Sequence, residues 1–202
     1  MAKNMQPIVK RCKALGISPA VMGYTGKSKA DTIRNPKGQM RRKQSEYAMQ
    51  LNEKQKVKFV YGILEKQFRM YYEKAAKAPG QTGEVLLTTI ERRLDNVVYR
   101  LGFAMTRREA RQAVTHGHFT VNGKKVNIPS YLVKPGDVVE ISEKSRKLDK
   151  FKKNIETNSS LGIPQWLDYK AGDFEAKVVA MPARSDIDLP IEEHLIVEFY
   201  SK

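Results

Sequence analysis

The chain has 202 residues, of which 37 are Lys or Arg and 22 are Asp or Glu, so it carries a formal charge of +15 with its three histidines neutral. Hydrophobic residues make up 41% and charged residues 29%, which supports a modest buried core and fits one largish domain or two small ones better than a disordered chain. Apolar runs reach only the length of Val178 to Met181, against the roughly 18 residues a membrane span needs, and the lone Cys12 excludes a disulfide scaffold and a Cys-rich zinc site; the expectation is a soluble, cytosolic chain in a reducing compartment, with no membrane, metal or cofactor.

Clusters of Pro and Gly divide the chain into residues 1–44, 45–90, 91–155 and 156–202, with net charges of +10, +2, +8 and −5. Eleven basic residues against one acid in the first stretch point to a polyanionic partner, because a face exposed only to water has no use for such a surplus. Pro7, Gly16, Pro19, Gly23, Gly26, Pro36 and Gly38 interrupt this stretch. It reads as a basic arm with little core of its own that orders along phosphates.

From Asn52 the apolar period becomes helical, through Val57, Val60, Tyr61, Leu64, Phe68, Tyr71, Tyr72 and Ala75. Asn52 and Gln55 form a potential capping box, and Pro79-Gly80 ends the segment. The Tyr and Phe stripe keeps the helical period without Arg on the same face, so it reads as packing.

Thr88-Thr-Ile-Glu91 predicts a capping box that opens a helix with Ile90, Leu94, Val97, Val98 and Leu101 on one face and Gly102 as its stop. The same grammar repeats in Thr106-Arg-Arg-Glu109, which caps a helix with Ala110, Ala113 and Val114 inward and Gly117 at its end. Arg107, Arg108 and Arg111 are expected on its outer side, where guanidiniums and the helix N-terminus suit phosphate oxygens. His118-Phe-Thr-Val-Asn122 then alternates like a strand, Asn122-Gly123 turns it, and Lys124 and Lys125 follow directly. Val126 and Ile128 resume the alternation, and Pro135-Gly136 turns the chain again before a strand from Val138 to Ile141. Two helices against a small antiparallel sheet, sharing one continuous basic surface, are predicted.

His116 and His118 flank Gly117 without a third ligand at metal-binding spacing. Asp95 follows Arg92 and Arg93, and its expected task is an ion pair that orients an arginine. No paired carboxylates bound a cleft, and the phosphate-cradling, nucleophile-elbow and HExxH motifs are absent. An enzyme is not expected.

Three runs carry a resemblance: Glu91-Arg-Arg-Leu-Asp-Asn-Val-Val-Tyr-Arg-Leu-Gly102, Thr106-Arg-Arg-Glu-Ala-Arg-Gln112, and His116-Gly-His118 leading to Val121-Asn-Gly-Lys124. They resemble the RNA-binding module first defined in small-subunit ribosomal protein four. The likeness to that ribosomal family extends to Ser45-Glu-Tyr47, Glu53-Lys-Gln-Lys56, Tyr61-Gly62, Leu64-Glu-Lys-Gln-Phe68, Asn127-Ile-Pro-Ser-Tyr-Leu-Val133 and Leu195-Ile-Val-Glu-Phe-Tyr-Ser-Lys202. Pseudouridine synthases and some tRNA synthetases also carry the module, but the flanks here read as arm, helices and short tail, without a catalytic domain.

The resemblance implies an α+β fold in which the module, residues 91–155, is inserted into a helical domain made of residues 45–90 and the returning segment 156–202, preceded by the arm 1–44. It implies a structural constituent of the small ribosomal subunit, in the cytoplasm, that binds the 5′ domain of the ribosomal RNA early and nucleates assembly. The expected RNA-binding set on the module is Arg92, Arg93, Arg100, Arg107, Arg108, Arg111, His116, His118, Asn122, Lys124 and Lys125. Arg41, Arg42 and Lys43 correspond to the family's basic residues along the messenger RNA channel. Ribosomal proteins five and three of the same subunit are the implied protein partners, with an influence on decoding accuracy. The acidic residues Asp186, Asp188, Glu192, Glu193 and Glu198 suit such a neighbour better than RNA. The four-cysteine zinc knuckle of some members is not carried over, since only Cys12 is present.

Overall fold

The computed structural model describes residues 6–24, 45–158, 162–170 and 172–201. The chain divides into two compact units, one formed by residues up to Gly83 together with those from Leu189 onward, the other by Glu84–Asp188. A helical unit with an inserted α+β unit is thus the architecture.

In the helical unit, α1 (Ile8–Leu15) ends on Gly16 in the left-handed region at φ +68°, and a 3-10 turn follows at Pro19–Met22. Cys12, Leu15 and Met22 are buried, so this part of the arm has a core, contrary to the expectation that it would have little. Its apolar residues are few, but Cys12 and Leu15 lie three residues apart on one face of α1, and Met22 closes the 3-10 turn. Helix α2 (Glu46–Val60) begins at Ser45, whose hydroxyl accepts from Ala48 N, rather than at Asn52. Gly62, at φ +64°, separates it from α3 (Glu65–Lys77). The helix α4 (Thr82–Glu91) starts in this unit and runs into the next.

The inserted unit continues with α5 (Leu94–Arg100), α6 (Arg107–Thr115), β1 (Phe119–Val121), β2 (Lys124–Lys125), β3 (Val138–Ile141), α7 (Glu143–Arg146), α8 (Asp149–Asn158), β4 (Leu167–Asp168) and β5 (Glu175–Val178). The strands form one antiparallel sheet in the order β2-β1-β3-β5-β4, with Phe119 opposite Ile141, Val121 opposite Val139, and Val139 opposite Ala176. These inward residues meet Leu94, Val97, Val98, Ala110, Ala113, Val114 and Phe151 from the helices in one core, which also holds Trp166 and Val178. The segment after residue 155 therefore does not return at once to the helical unit. Leu167, Ala176 and Val178 bury one side of two added strands, and only α9 (Glu193–Ser201) and the residues just before it rejoin the first unit.

The capping box expected at Thr88 is not formed. Thr88 lies inside α4, and its hydroxyl donates to Pro182 O at 3.3 Å. The helix breaks instead at Arg92 and Arg93, because Arg93 bridges Leu132 as in a sheet and the amides of Leu94 and Asp95 donate to Tyr131 O and Pro129 O. Gly102 closes α5 at φ +76° as anticipated.

Helix α9 is seated on α2 and α3. Phe199 meets Tyr47 with ring centroids 5.6 Å apart, and Tyr200 stacks on Tyr72 at 4.7 Å and on Phe68 at 6.1 Å. Gln50 donates to Glu198 at 2.9 Å, and Glu65 accepts from Tyr200 at 2.7 Å and from Lys54 at 3.1 Å, with Lys58 as a third partner. The aromatic stripe is packing, as its period indicated.

Candidate nucleic-acid interface

Helices α5 and α6 are joined by a buried charged network. Asp95, 3% exposed, accepts from Arg93 Nη2 at 2.8 Å and from Arg111 Nη2 at 2.7 Å. Glu91 holds Arg100 at 3.0 Å, and Asp188 holds the other side of that guanidinium at 2.9 Å. Asn96 donates to Glu91 and accepts from Arg107 Nε at 2.9 Å, while the Arg107 guanidinium lies over Tyr99, 4.3 Å from its centroid. Arg92 Nε donates to Val133 O at 2.9 Å; burial lowers its pKa, with Asp137 acting in the opposite sense. Such a network fixes side-chain geometry because each buried charge has its partner.

The Arg face expected on the outside of α6 is therefore corrected. Arg107 is buried, since it precedes the inward Ala110 by three residues and shares its side of the helix. Arg111 is half-buried against Asp95, and Arg108 alone of the three is exposed. The N-terminus of α6 is also already satisfied: Thr106 Oγ1 accepts from Glu109 N at 3.2 Å, and Glu109 accepts from Met105 N at 2.8 Å. It is a capped helix start, which leaves the helix dipole less to offer a phosphate.

At the hairpin, Asn122 and Gly123 have φ +51° and +73°, the paired left-handed geometry of a tight two-residue turn. The Asn122 amide donates to Asp137 at 2.9 Å and accepts from Val138 N at 2.8 Å, which makes it a brace of the tip. Lys124 and Lys125 are exposed. Gly117, at φ +74°, lies beneath the end of the Lys125 side chain, which passes over it at the end of α6.

His118 Nδ1 is 2.8 Å from Ser145 Oγ, itself 2.8 Å from Ser142 Oγ, and the ring meets the edge of Phe151 at 5.4 Å. Its pKa lies below the ordinary value, first through burial and then through the positive charges of His116, Lys150 and Lys125. Lys150 is the residue sequence reasoning missed. It reaches this surface from α8 and pairs with Glu109 at 2.9 Å. Its signal was the basic run from Lys144 to Lys153, unassigned there because nothing local says which face of a short helix meets the hairpin.

A groove of about 630 Å³ lies in the same unit between Tyr99, Arg100, Pro164 and Asp188, and its Arg100 and Asp188 already bind each other. Among the described residues no three His, Cys, Asp or Glu side chains gather as a metal site, and no helix is long and apolar enough to cross a membrane. Arg41, Arg42 and Lys43 lie outside the described residues. Several tail acids are used internally: Asp186 accepts from Ala183 N at 2.8 Å, Asp188 binds Arg100, and Glu198 binds Gln50.

An α+β module whose α5 and α6 carboxylates, Asp95 and Glu109, are spent on internal pairs, and which keeps Arg108, Lys124, Lys125 and Lys150 at its surface, defines a nucleic-acid-binding protein. Residues 3–91 match the family model described as the ribosomal protein S4/S9 N-terminal domain, and residues 92–139 match the S4 domain. The chain belongs to this ribosomal protein S4 family. It is 54% identical to the small ribosomal subunit protein uS4 of Halothermothrix orenii and 48% identical to that of Thermodesulfovibrio yellowstonii, each alignment covering 100% of both chains. With the uS4 protein of Acetivibrio thermocellus it is 61% identical over 165 residues, covering 82% of this chain and 79% of that one.

Proposed function

We propose that this chain is a structural, non-enzymatic constituent of the small ribosomal subunit in the cytoplasm. It binds the 5′ domain of the small-subunit ribosomal RNA and helps to nucleate assembly there. The observation that carries the RNA reading is the asymmetry of charge on the module. Both acids of α5 and α6, Asp95 and Glu109, are held in internal ion pairs, while Arg108, Lys124 and Lys125 stand exposed. Phosphates meet cations there with little opposing negative charge.

Within this reading the eleven module residues divide by role. Arg108, Lys124, Lys125, His116 and His118 face the RNA directly, whereas Arg92, Arg93, Arg100, Arg107 and Asn122 hold the surface in shape, and Arg111 does both from its half-buried position. The family resemblance alone supports Arg41, Arg42 and Lys43 along the messenger RNA channel, contacts with ribosomal proteins five and three, and an influence on decoding accuracy. For the protein contacts the exposed Glu192 is a suitable acid.

Filter binding to 5′-domain RNA tests the reading. Each phosphate neutralised contributes about 0.7 to 0.9 to the log-log salt slope, so several contacts give a steep fall in affinity between low and moderate salt. Arg108→Glu is expected to lower affinity about tenfold and the slope by about 1, without altering sequence preference. Binding indifferent to salt, or equal for unrelated RNA, overturns the reading. Unchanged affinity of the Arg108→Glu protein removes α6 from the interface.

A further inference from the structure

We propose that His118, flanked by Lys125, Lys150 and His116, is a phosphate subsite that takes up one proton when RNA fills it. This rests on the RNA-binding reading and adds to it a place and a chemistry.

The geometry supplies three requirements of such a site. First, the ring is anchored: Nδ1 is bound to the buried Ser145 hydroxyl, and the ring edge packs on Phe151. Nε2 is then the nitrogen left to meet a ligand. Second, the charged groups that act on the ring are two lysines and, when it is protonated, a second imidazole. His116 follows α6, Lys125 comes from β2 across Gly117, and Lys150 comes from α8. The nearest acid on α6, Glu109, reaches the site only through its pair with Lys150. The end of α6 adds little negative charge, because Gln112, Ala113 and Val114 carbonyls already accept from the amides of His116, His118 and Gly117.

Third, the anchor works for both protonation states. A hydroxyl can donate or accept. When the ring is neutral with its proton on Nε2, Ser145 donates to Nδ1. When the ring is charged, Nδ1–H donates to Ser145 Oγ, and Ser145 turns its proton toward Ser142 Oγ, 2.8 Å away. The proton comes from solvent, and no side chain has to move.

Without RNA, burial and the neighbouring positive charge, from Lys150 and Lys125 and from His116 when it is protonated, disfavour the imidazolium. A phosphate at Nε2 reverses the local field and favours it, so binding and protonation are linked. The backbone of this segment is fixed as well: His118 O accepts from Ser142 N at 2.9 Å, so α7 and the histidine stay together.

The test uses the full chain and a 5′-domain RNA fragment. Calorimetric titration near pH 6.5 in buffers of different ionisation enthalpy measures proton uptake. Filter binding from pH 5.5 to 8 measures the linked affinity. Uptake approaching one proton is expected, with binding about tenfold tighter at the acid end for each unit by which RNA raises the imidazole. In the His118→Gln protein the uptake should fall by about one proton, and the pH dependence that is left belongs to His116. Should that variant not fold, NMR titration of the wild-type His118 ring with and without RNA decides the matter. An unmoved ring, or the same proton uptake in the variant, overturns the subsite and leaves RNA binding intact. Failure to bind RNA at every pH instead overturns the functional reading itself.

Discussion

Replacing Asp95 by alanine removes the carboxylate that α5 places between Arg93 and Arg111. Arg93 is 2% exposed and Asp95 3%, so the substitution leaves a guanidinium charge buried without its main counter-ion. Breaking a buried pair on one side costs about 3–5 kcal/mol. The Arg111 contact, with that side chain 24% exposed, adds no more than about 1 kcal/mol. The expected loss is therefore about 3–6 kcal/mol, a large share of the roughly 5–15 kcal/mol that holds a domain folded.

Urea unfolding followed by tryptophan fluorescence is suited to this measurement. The chain has one tryptophan, Trp166, buried at 3% exposure in the same core as Leu94 and Val97. Arg93→Met in the Asp95→Ala background should recover at least about 1 kcal/mol, since it removes the stranded charge. A loss below about 1 kcal/mol for Asp95→Ala, or strict additivity in the double variant, would show that the network does not hold α5 and α6 together.

Two further outcomes follow from backbone geometry and from titration. Gly123→Ala should cost about 1–2 kcal/mol, the backbone strain of a left-handed alanine, because open space surrounds its Cβ. Gly117→Ala has the same strain, and its Cβ meets only the far end of the flexible, exposed Lys125 side chain, which can swing aside, so its loss in the fluorescence assay should be similar; a clearly larger loss means that the lysine stem is held there. In the helical unit, burial pushes the Glu65 carboxyl up, but hydrogen bonds from Lys58, Tyr200 and Lys54 prevail and hold its pKa at about 2 against an ordinary 4.5. The unfolded chain takes up that proton first, so the stability Glu65 confers is complete above pH 4.5 and is lost as pH falls toward about 2. Acid unfolding followed by circular dichroism should show the gap between wild type and Glu65→Gln closing across that window, and a constant gap refutes the role given to Glu65.

Short-range chemistry was legible in the sequence. Thr106 and Glu109 cap α6, Gly102 and Gly117 stop their helices, and Asn122-Gly123 turns the hairpin, since each needs only neighbours a few residues away. Thr88 and Asn52 carry equally good capping chemistry but lie inside α4 and α2. The helices extend past them because packing extends past them: Gln50, before Asn52, is bound by Glu198 from the far end of the chain. Arg107 looked solvent-facing because its partner Asn96 is eleven residues upstream on another helix. Strands β4 and β5 lack the signals that marked the equally short β1 and β3, the Asn122-Gly123 and Pro135-Gly136 turns, and a neighbouring strand defines them. In the candidate interface, the basic residues of α6 and the hairpin could be named from the sequence, but Lys150 of α8 could not. Their division into exposed and internally paired members required the positions of the carboxylates.

The aromatic seat of α9 also sets a timetable for synthesis. Between Gly83 and Leu189 the ribosome must make about a hundred residues, which takes roughly 5 to 20 s at 5–20 residues per second. Throughout that interval the surfaces of Phe68 and Tyr72 that receive Tyr200 have no covering ring. The later-made module can already be folded when the earlier-made helices are still waiting for their last partner. A nascent chain stalled before residue 199 would therefore expose the open apolar slot of the helical unit, a state suited to chaperone capture and to quality control.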